Sequence, residues 1–341
     1  MRNRAADVTG SRAIVAVVRS TRRPESQCIA PAEVSIRRSW AARTTKRNLR
    51  AIAIGIAGAS ASGKTTVLRS LLSLLGTRNA AHLDLDGYHR HSREERARLR
   101  EYPEDPSAND LKRAAADLCA LLAGRAILMP VYDHRKGILA EPRRLAPKIV
   151  VFLEGLHSGL LSSGPRRRLV DYTIFVCPSE DLRRAWKVNR DVNQRGYSYA
   201  EATSQIAQRE PYVAKYVRPQ KDAASVVVSV EQRRDGGMAH RVLVSPSFCR
   251  ALVALRSTSG HRWRRVLCSR RSSHNGRNYV EVHLAKGSEK AINSLRAALS
   301  SLELSIAAHR LTGADVRYSY NEAIHVLYAL VLLSIARRMV R

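Results

Sequence analysis

The stretch from Gly58 to Thr65 has the residue types and the spacing that hold the phosphates of a nucleotide. Its sequence, GASASGKT, fits the pattern G-x-x-x-x-G-K-[ST]. Because glycine has no Cβ, the backbone at Gly58 and Gly63 can curl and approach a phosphate closely. The loop N–H groups and the positive end of the next helix then point at one anion. We predict that nucleotide phosphates contact Gly58, Ala59, Ser60, Ala61, Ser62, Gly63, Lys64, Thr65 and Thr66.

Two residues of this loop have chemistry of their own. Lys64 places a mobile positive charge near the outer phosphates, and the Thr65 hydroxyl can hold Mg²⁺. A chance match to a short pattern is the alternative interpretation. However, an apolar run precedes the loop, and leucines at helical spacing follow it. This strand–loop–helix context is the one that the motif requires, so the sequence favours a phosphate site.

Carboxylates end two further apolar runs. Asp84 and Asp86 lie in HLDLDGY, and Glu154 ends KIVVFLE. Ligands of a parallel sheet lie at the carboxyl ends of its strands, so these acids should face the phosphate loop. Asp86 is the better candidate to take the proton of an acceptor hydroxyl, and Glu154 is placed to hold Mg²⁺ directly or through water. A turn-forming aspartate before Gly87 is the alternative for Asp86.

Cationic side chains follow the first pair of acids. The run HRHSREERARLR would place His89, Arg93 and Arg96 on one face of a helix. A cationic face beside a catalytic carboxylate suits an anionic substrate. The alternative is a solvated helix with many charged residues.

Further candidates lie on a loop and on a later helix. Residues 129–141 are extended and turn-rich, and they bring Tyr132, His134 and Lys136 together. Such clusters on loops bind ligands more often than they pack. An amphipathic helix opens near Pro178 and carries Arg190, with Arg195 just beyond it. These arginines could close over transferring phosphates, or they could simply belong to an exposed basic helix.

The elements that must position these residues alternate along residues 51–230. Apolar runs typical of buried strands lie at 51–57, 82–88, 148–156, 170–176 and 224–230, and helical patterns separate them. Within these, residues 199–216 read as a helix interrupted at Pro211. Strands that alternate with helices predict an α/β fold with a doubly wound, mainly parallel sheet and flanking helices, as in P-loop NTPases.

Two flanks surround this predicted domain. Residues 1–50 are basic and poor in acids, which indicates a disordered arm or a transit segment. Residues 231–341 predict a small α+β extension of unknown role. In it, 241–244 and 279–283 could be strands of a small sheet, and 256–277 reads as a loop. Residues 288–304 look helical, and 323–336 predict a C-terminal helix that packs on the protein rather than in a membrane.

Charge and cysteine usage narrow the class of protein. The net charge is +30, of which the flanks 1–50 and 231–341 contribute +9 and +12. This balance suits phosphorylated substrates or nucleic acid, although an arginine-rich proteome would produce it as well. The five cysteines are scattered and lack zinc spacing. We therefore expect a reduced, cytoplasmic protein, with import through the basic arm as the alternative.

The stretches that carry these residues occur in one order. They are GASASGKTT, DLDGYHRHSR, PSANDL, VYDHRKG, FLEGLH, DYTIFVCPSEDLRRAWKVNRDVNQRGYSYAEA and REPYVAKYVRPQKDAASVVV. Together they resemble the phosphoribulokinase/uridine kinase family, and within it the phosphoribulokinase branch. The resemblance covers about residues 50–230. It implies ATP- and Mg²⁺-dependent phosphorylation of the 1-hydroxyl of ribulose 5-phosphate.

The resemblance also implies a role for single residues. Lys64 and Thr65 fall on phosphate-loop positions, Asp86 on the catalytic base and Glu154 on the metal-linked acid. The remaining matches are His89 and Arg93 for the sugar phosphate, His134 for the substrate histidine after the tyrosine, and Arg190 and Arg195 for the lid arginines.

This chain departs from the family pattern at several points. Gly87 follows Asp86 where two adjacent acids are common, and residues 98–106 lack the usual glycine-threonine-alanine-leucine run. The redox-regulatory cysteine pair of the plant enzymes is not apparent. These departures bear on the identity of the phosphoryl acceptor more than on the phosphoryl transfer itself.

Two other functions stay open. One is a nucleoside kinase acting on uridine or cytidine. The other is a nucleotide-binding regulatory protein that uses its basic flanks on nucleic acid, for which a content of 5% aromatic residues leaves few stacking platforms. We expect a sugar phosphate or nucleoside as the small-molecule partner, a homo-oligomer, and neither nucleic acid nor a membrane as partner.

Overall fold

The computed structural model describes residues 51–161, 168–253, 267–274, 277–284 and 320–339. The basic arm 1–50 and the predicted helix 288–304 lie outside these ranges. The strands are β1 Ile52–Ala57, β2 Ala80–Asp84, β3 Ile127–Asp133, β4 Ile138–Leu145, β5 Val150–Glu154, β6 Tyr172–Pro178, β7 Val226–Gln232, β8 Met238–Val244, β9 Leu267–His274 and β10 Arg277–Leu284. The helices are α1 Lys64–Leu75, α2 Arg93–Leu99, α3 Leu111–Leu122, α4 Glu180–Arg195, α5 Tyr199–Tyr212, α6 Pro219–Ala223, α7 Pro246–Val253 and α8 Tyr320–Met339.

One twisted sheet holds eight of these strands in the order β2-β5-β1-β6-β7-β8-β10-β9. The first five strands pair in parallel, and the last three are antiparallel. The central strands β1 and β5 are buried along their whole length, as their apolar composition predicts. The predicted α/β architecture with a mainly parallel sheet is therefore confirmed.

The strands after residue 231 extend this sheet. Residues 241–244 and 279–283 fall within β8 and β10, but β8 pairs with β7 instead of forming a separate small sheet. Strand β9 lies inside the stretch 256–277 that was predicted as a loop, so that prediction was wrong there. Its sequence, LCSRRSSH, has no apolar alternation, and it is backbone pairing with β10 that makes it a strand.

Two local predictions also differ from the structure. His89 lies outside α2 because Ser92 caps that helix: its side chain accepts a hydrogen bond from the backbone N–H of Glu95. His89, Arg93 and Arg96 therefore do not share a helical face. Helix α5 continues through Pro211 to Tyr212 and is followed by a π-helical turn, so the irregularity comes after the proline.

The C-terminal helix is confirmed and is longer than predicted. Residues 323–332 of α8 are buried except for the half-buried His325, and the helix packs against α1, β8 and β10. None of the helices in the described ranges is long and apolar enough to span a membrane.

Candidate active site

A cleft of about 1870 Å³ opens at the carboxyl ends of the parallel strands. This is larger than the ~300–1,000 Å³ of a typical single-ligand pocket, so the cleft has room for two substrates. Many of the predicted site residues line this cleft. They are Ser60, Ala61, Ser62, Gly63, Lys64, Thr65, Thr66, Asp86, His89, Arg93, Tyr132, His134, Glu154, Arg190 and Arg195. Lys136 is exposed on the β3–β4 turn and does not line this cleft.

The phosphate loop joins β1 to α1 with a backbone that only small residues allow. Gly58 has φ +146°, and a Cβ there would lie 2.6 Å from the Val176 carbonyl oxygen and 2.7 Å from Ser62 Oγ. Ala61 is a non-glycine residue at φ +63°, a strained conformation of the kind found at ligand sites. Lys64 is buried, and its Nζ donates to the Ala59 carbonyl at 2.9 Å. The loop is therefore already curled around the place where an anion would lie.

Thr65 and Glu154 meet where α1 begins and β5 ends. Thr65 Oγ1 donates to Glu154 Oε1 at 3.0 Å. Burial raises the pKa of Glu154, and the charge of Lys64 opposes that shift. Hydroxyl and carboxylate oxygens are ligands that Mg²⁺ accepts, so these residues fit the metal that the sequence predicts here.

Asp86 lies in a short 3₁₀ turn, Leu85–Tyr88, just after β2 ends. The strand predicted over 82–88 is thus shorter in the structure, because the Asp84 side chain accepts from the Asp86 N–H and starts the turn. Asp86 Oδ2 is 3.3 Å from His134 Nε2. Burial alone would raise the pKa of Asp86, but the hydrogen bond with His134 and the charge of Lys64 hold it below the usual value.

Two further polar side chains, those of His82 and Asp84, lie near Asp86 at the same edge of the sheet. His82 and Asp84 share one face of β2, and His82 Nε2 is 3.6 Å from Glu154 Oε2. Burial and the charge of Arg143 lower the pKa of His82 to about 4, so the ring is neutral. Burial and the neighbouring acids raise the pKa of Asp84 to about 7. The sequence analysis missed His82, although the i, i+2 spacing with Asp84 was a signal for it.

The β3–β4 hairpin brings His134 to the cleft and holds Arg93 beside it. The Arg93 N–H donates to the Gly137 carbonyl at 2.7 Å, and the Arg93 guanidinium donates to the His134 carbonyl. Arg195 Nη2 lies 3.5 Å from His134 Nδ1. Two arginines therefore flank the histidine that contacts Asp86.

The rings of Tyr132 and His89 pack against each other beside His134. Arg96 Nη2 donates to the Tyr132 hydroxyl at 2.8 Å, and the Tyr132 ring contacts His89 edge-on at 5.1 Å between centroids. His89 Nδ1 is 2.7 Å from Asn109 Oδ1. The hydroxyl of Tyr132 is thus already bonded to Arg96, which was predicted on the cationic face and here supports Tyr132. Asn109, which supports His89, is a residue that the sequence predictions did not include.

Helix α4 carries the two predicted lid arginines, and Asp191 organises them. The Asp191 carboxylate is 2.8 Å from Arg190 Nη2, 3.6 Å from Arg195 Nη1 and 2.5 Å from Lys187 Nζ. Arg190 also donates to Ser60 Oγ at 3.1 Å, which ties the helix to the phosphate loop. Arg195 lies at the end of α4 rather than beyond it. Asp191 was missed, although its i±4 spacing to Lys187 and Arg195 indicated ion pairs.

The structure explains why a glycine follows Asp86. A Cβ on Gly87 would lie 2.2 Å from the Pro130 carbonyl oxygen of β3. No side chain fits there, so this chain cannot carry a second acid next to Asp86 while the hairpin keeps its place.

Comparison with known proteins gives consistent matches. The model of the phosphoribulokinase/uridine kinase family matches residues 53–235. Phosphoribulokinase of Synechocystis sp. is 36% identical over 53% of this chain and 54% of its own length. Uridine kinase of Chloroflexus aurantiacus is 33% identical over 61% of this chain and 97% of its own length. In sequence, the chain spans about half the length of the Synechocystis and Spinacia oleracea phosphoribulokinases that it matches.

A solved phosphoribulokinase from Rhodobacter spheroides superposes on 76% of this chain and all of its own, with a TM-score of 0.52 and 17% identity. At that identity the superposition supports the fold alone. The family match covers more than half of the chain, and the uridine kinase match spans nearly a whole relative. The chain belongs to the phosphoribulokinase/uridine kinase family.

Proposed function

We propose that the protein is a kinase that transfers a phosphoryl group from ATP to a hydroxyl of a sugar phosphate, with ribulose 5-phosphate as the first candidate. The observation that carries the proposal is the arrangement around Asp86: His134 contacts its carboxylate, and Arg93 and Arg195 flank His134. A carboxylate base beside cations suits an acceptor that has both a hydroxyl and a phosphate.

The chain's own residues divide the chemistry between them. Asp86, kept ionised by its hydrogen bond with His134 and by the charge of Lys64, takes the proton of the acceptor hydroxyl. The loop N–H groups and Lys64 bind the phosphates of ATP, and Thr65 and Glu154 would hold Mg²⁺, which offsets phosphate charge when bound. Arg190 and Arg195 stabilise the charge that spreads over the transferring oxygens. Positioning and charge stabilisation account for most of the acceleration of such reactions.

A nucleoside kinase is the second candidate. One specific observation favours it: the match to uridine kinase spans 97% of that relative, whereas the match to phosphoribulokinase spans 54%. A neutral nucleoside, however, offers no anion to Arg93 and His134. The two candidates therefore differ in how much they need the Arg93 charge.

Replacement of Arg93 distinguishes the two candidates. In Arg93→Ala, we expect the KM for ribulose 5-phosphate to rise about 10- to 100-fold, since a hydrogen bond to a charged group contributes about 1.5–3 kcal/mol. The KM for ATP should change little. Arg98→Ala is the matched control, because Arg98 is exposed on the same helix and pairs with Glu94. An unchanged acceptor KM in Arg93→Ala would contradict the sugar-phosphate proposal.

The remaining expectations from the sequence stay predictions. They are the division into an arm 1–50, a kinase domain 51–230 and an extension 231–341, together with a homo-oligomeric state and a cytoplasmic location. The antiparallel strands β8–β10 continue the main sheet, so we propose that the extension folds together with the kinase domain rather than apart from it.

A further inference from the structure

His82, Asp84 and Glu154 converge at one point on the sheet edge. Each offers one ligand atom, and these atoms all lie within 4.8 Å of one another. His82 and Asp84 come from the same face of β2, and Glu154 ends the neighbouring strand β5, where Asp84 and Glu154 are paired in register. The backbone of the two strands therefore fixes the spacing of all three side chains.

Nε2 of His82 is a buried atom with no hydrogen-bond partner among the residues that the structure describes. Its distance to Glu154 Oε2 is 3.6 Å, which is too long for a hydrogen bond. Two adjacent ligands of one cation, each about 2.1 Å from it, lie roughly 3.0–3.4 Å apart. The gap is therefore close to the width that a shared metal ion would span. A buried polar atom without a hydrogen-bond partner costs free energy, and a cation bound to the unprotonated nitrogen would remove that cost.

The Asp84 carboxylate is held in place for this role. One of its oxygens accepts a hydrogen bond from the Asp86 N–H at 3.0 Å. This bond fixes the Asp84 side chain against the turn Leu85–Tyr88, which contains Asp86. Thr65 Oγ1 lies 3.0 Å from the other oxygen of Glu154, on the side of the phosphate loop. Glu154 thus stands between the phosphate loop and the His82–Asp84 pair.

We propose that His82, Asp84 and Glu154 bind a divalent cation in the absence of nucleotide, and that the imidazole makes this site prefer first-row transition ions such as Mn²⁺ over Mg²⁺. Mg²⁺ takes oxygen ligands and gives up its water reluctantly, whereas transition ions accept imidazole nitrogen readily. The inference deepens the proposed function, because it shares Glu154 with the predicted Mg²⁺ position, but it needs neither ATP nor an acceptor.

Titration with MnCl₂ or MgCl₂ alone tests the site on the full chain, by calorimetry and by the electron paramagnetic resonance signal of free Mn²⁺. We expect one Mn²⁺ per chain, bound at least about tenfold tighter than Mg²⁺. In His82→Asn, Mn²⁺ affinity should fall about tenfold or more, while Mg²⁺ affinity changes little. Asp84→Asn should weaken both ions. His91→Asn is the control, since His91 pairs with Glu101 away from this cluster.

A spectroscopic measurement on the wild-type protein tests the site even if a variant folds poorly. In the wild-type protein loaded with Mn²⁺, electron spin-echo modulation should show coupling to an imidazole nitrogen, and His82→Asn should lose it. Absence of Mn²⁺ binding without nucleotide, absence of nitrogen coupling, or coupling that persists in His82→Asn would overturn the proposal. None of these outcomes depends on phosphoryl transfer, so failure of the metal site and failure of the kinase proposal are distinguishable.

Discussion

Asp86 is positioned by a contact on each side. The Asp84 carboxylate accepts from its backbone N–H, and His134 contacts its side chain at 3.3 Å. The first contact starts the turn that aims Asp86 into the cleft, and the second keeps its pKa low in spite of burial. A carboxylate that is ionised and held in place can orient the acceptor hydroxyl and accept its proton.

Replacement of Asp86 by asparagine keeps the shape of the side chain and removes its basicity. We expect turnover in Asp86→Asn to fall about 10²–10⁴-fold, the range that general-base catalysis contributes. The affinity for ATP should stay within about twofold, because the loop and Lys64 are untouched. Single-turnover kinetics and equilibrium nucleotide binding measure the two effects. Asp181→Asn, in the exposed first turn of α4, is the control, and near-normal turnover in Asp86→Asn would remove Asp86 from the role of base.

Sequence patterns predicted the residues that end strands but not the contacts between elements. Asp86 and Glu154 follow apolar runs, so their meeting at one sheet edge follows from parallel topology. His82 has no motif of its own, and its approach to Glu154 depends on the register between β2 and β5. Lys136 was predicted at the substrate, but the hairpin turn leaves it exposed. Register and turn geometry are tertiary properties that periodicity does not encode.

The β3–β4 hairpin is the element that shapes the acceptor side of the cleft. It presents His134, and its turn residue Gly137 lies against Arg93 at φ +77°. A Cβ on Gly137 would be 2.8 Å from Arg93 Cβ and 3.0 Å from Arg93 Nε. The hairpin and α2 can therefore meet this closely only because the turn residue has no side chain.

Gly137→Ala should disturb the acceptor side specifically. We expect its acceptor KM to rise severalfold, as Arg93 is pushed from the His134 carbonyl, while the ATP KM stays the same. Gly124→Ala is a matched control, because Gly124 has φ +78° but no atom of the described ranges within 4 Å of its added Cβ. Both variants should lose about 1–2 kcal/mol of stability through the positive φ. Steady-state kinetics beside urea unfolding tests this, and equal acceptor KM values in the two variants would refute it.

The C-terminal helix α8 lies far from the phosphate loop in sequence but packs against α1, the helix that follows this loop. Helix α8 buries Leu327 and Leu330 against α1, β8 and β10, so the last described segment completes the core on which the loop helix rests. The sequence predicted this helix from its apolar content. That content could not indicate which elements the helix covers, because an apolar helix can pack on any exposed apolar face.

Truncation of Leu327 tests this docking. Leu327→Ala should reduce the free energy of unfolding by roughly 2–5 kcal/mol, the range for a buried leucine replaced by alanine. Leu128→Ala provides the control, because Leu128 is 64% exposed on β3. Urea unfolding followed by circular dichroism gives both values. If Leu327→Ala were as mild as Leu128→Ala, α8 would not be docked on the core as described.

The central claim is that the cleft phosphorylates a sugar phosphate, and an acceptor panel tests it most directly. ADP release with Mg-ATP is measured with ribulose 5-phosphate, with uridine, with cytidine and with no acceptor. We predict rapid release with ribulose 5-phosphate and only background release in the other three reactions. Turnover with uridine or cytidine and none with ribulose 5-phosphate would contradict the proposed acceptor while leaving the phosphate loop and Asp86 in their roles.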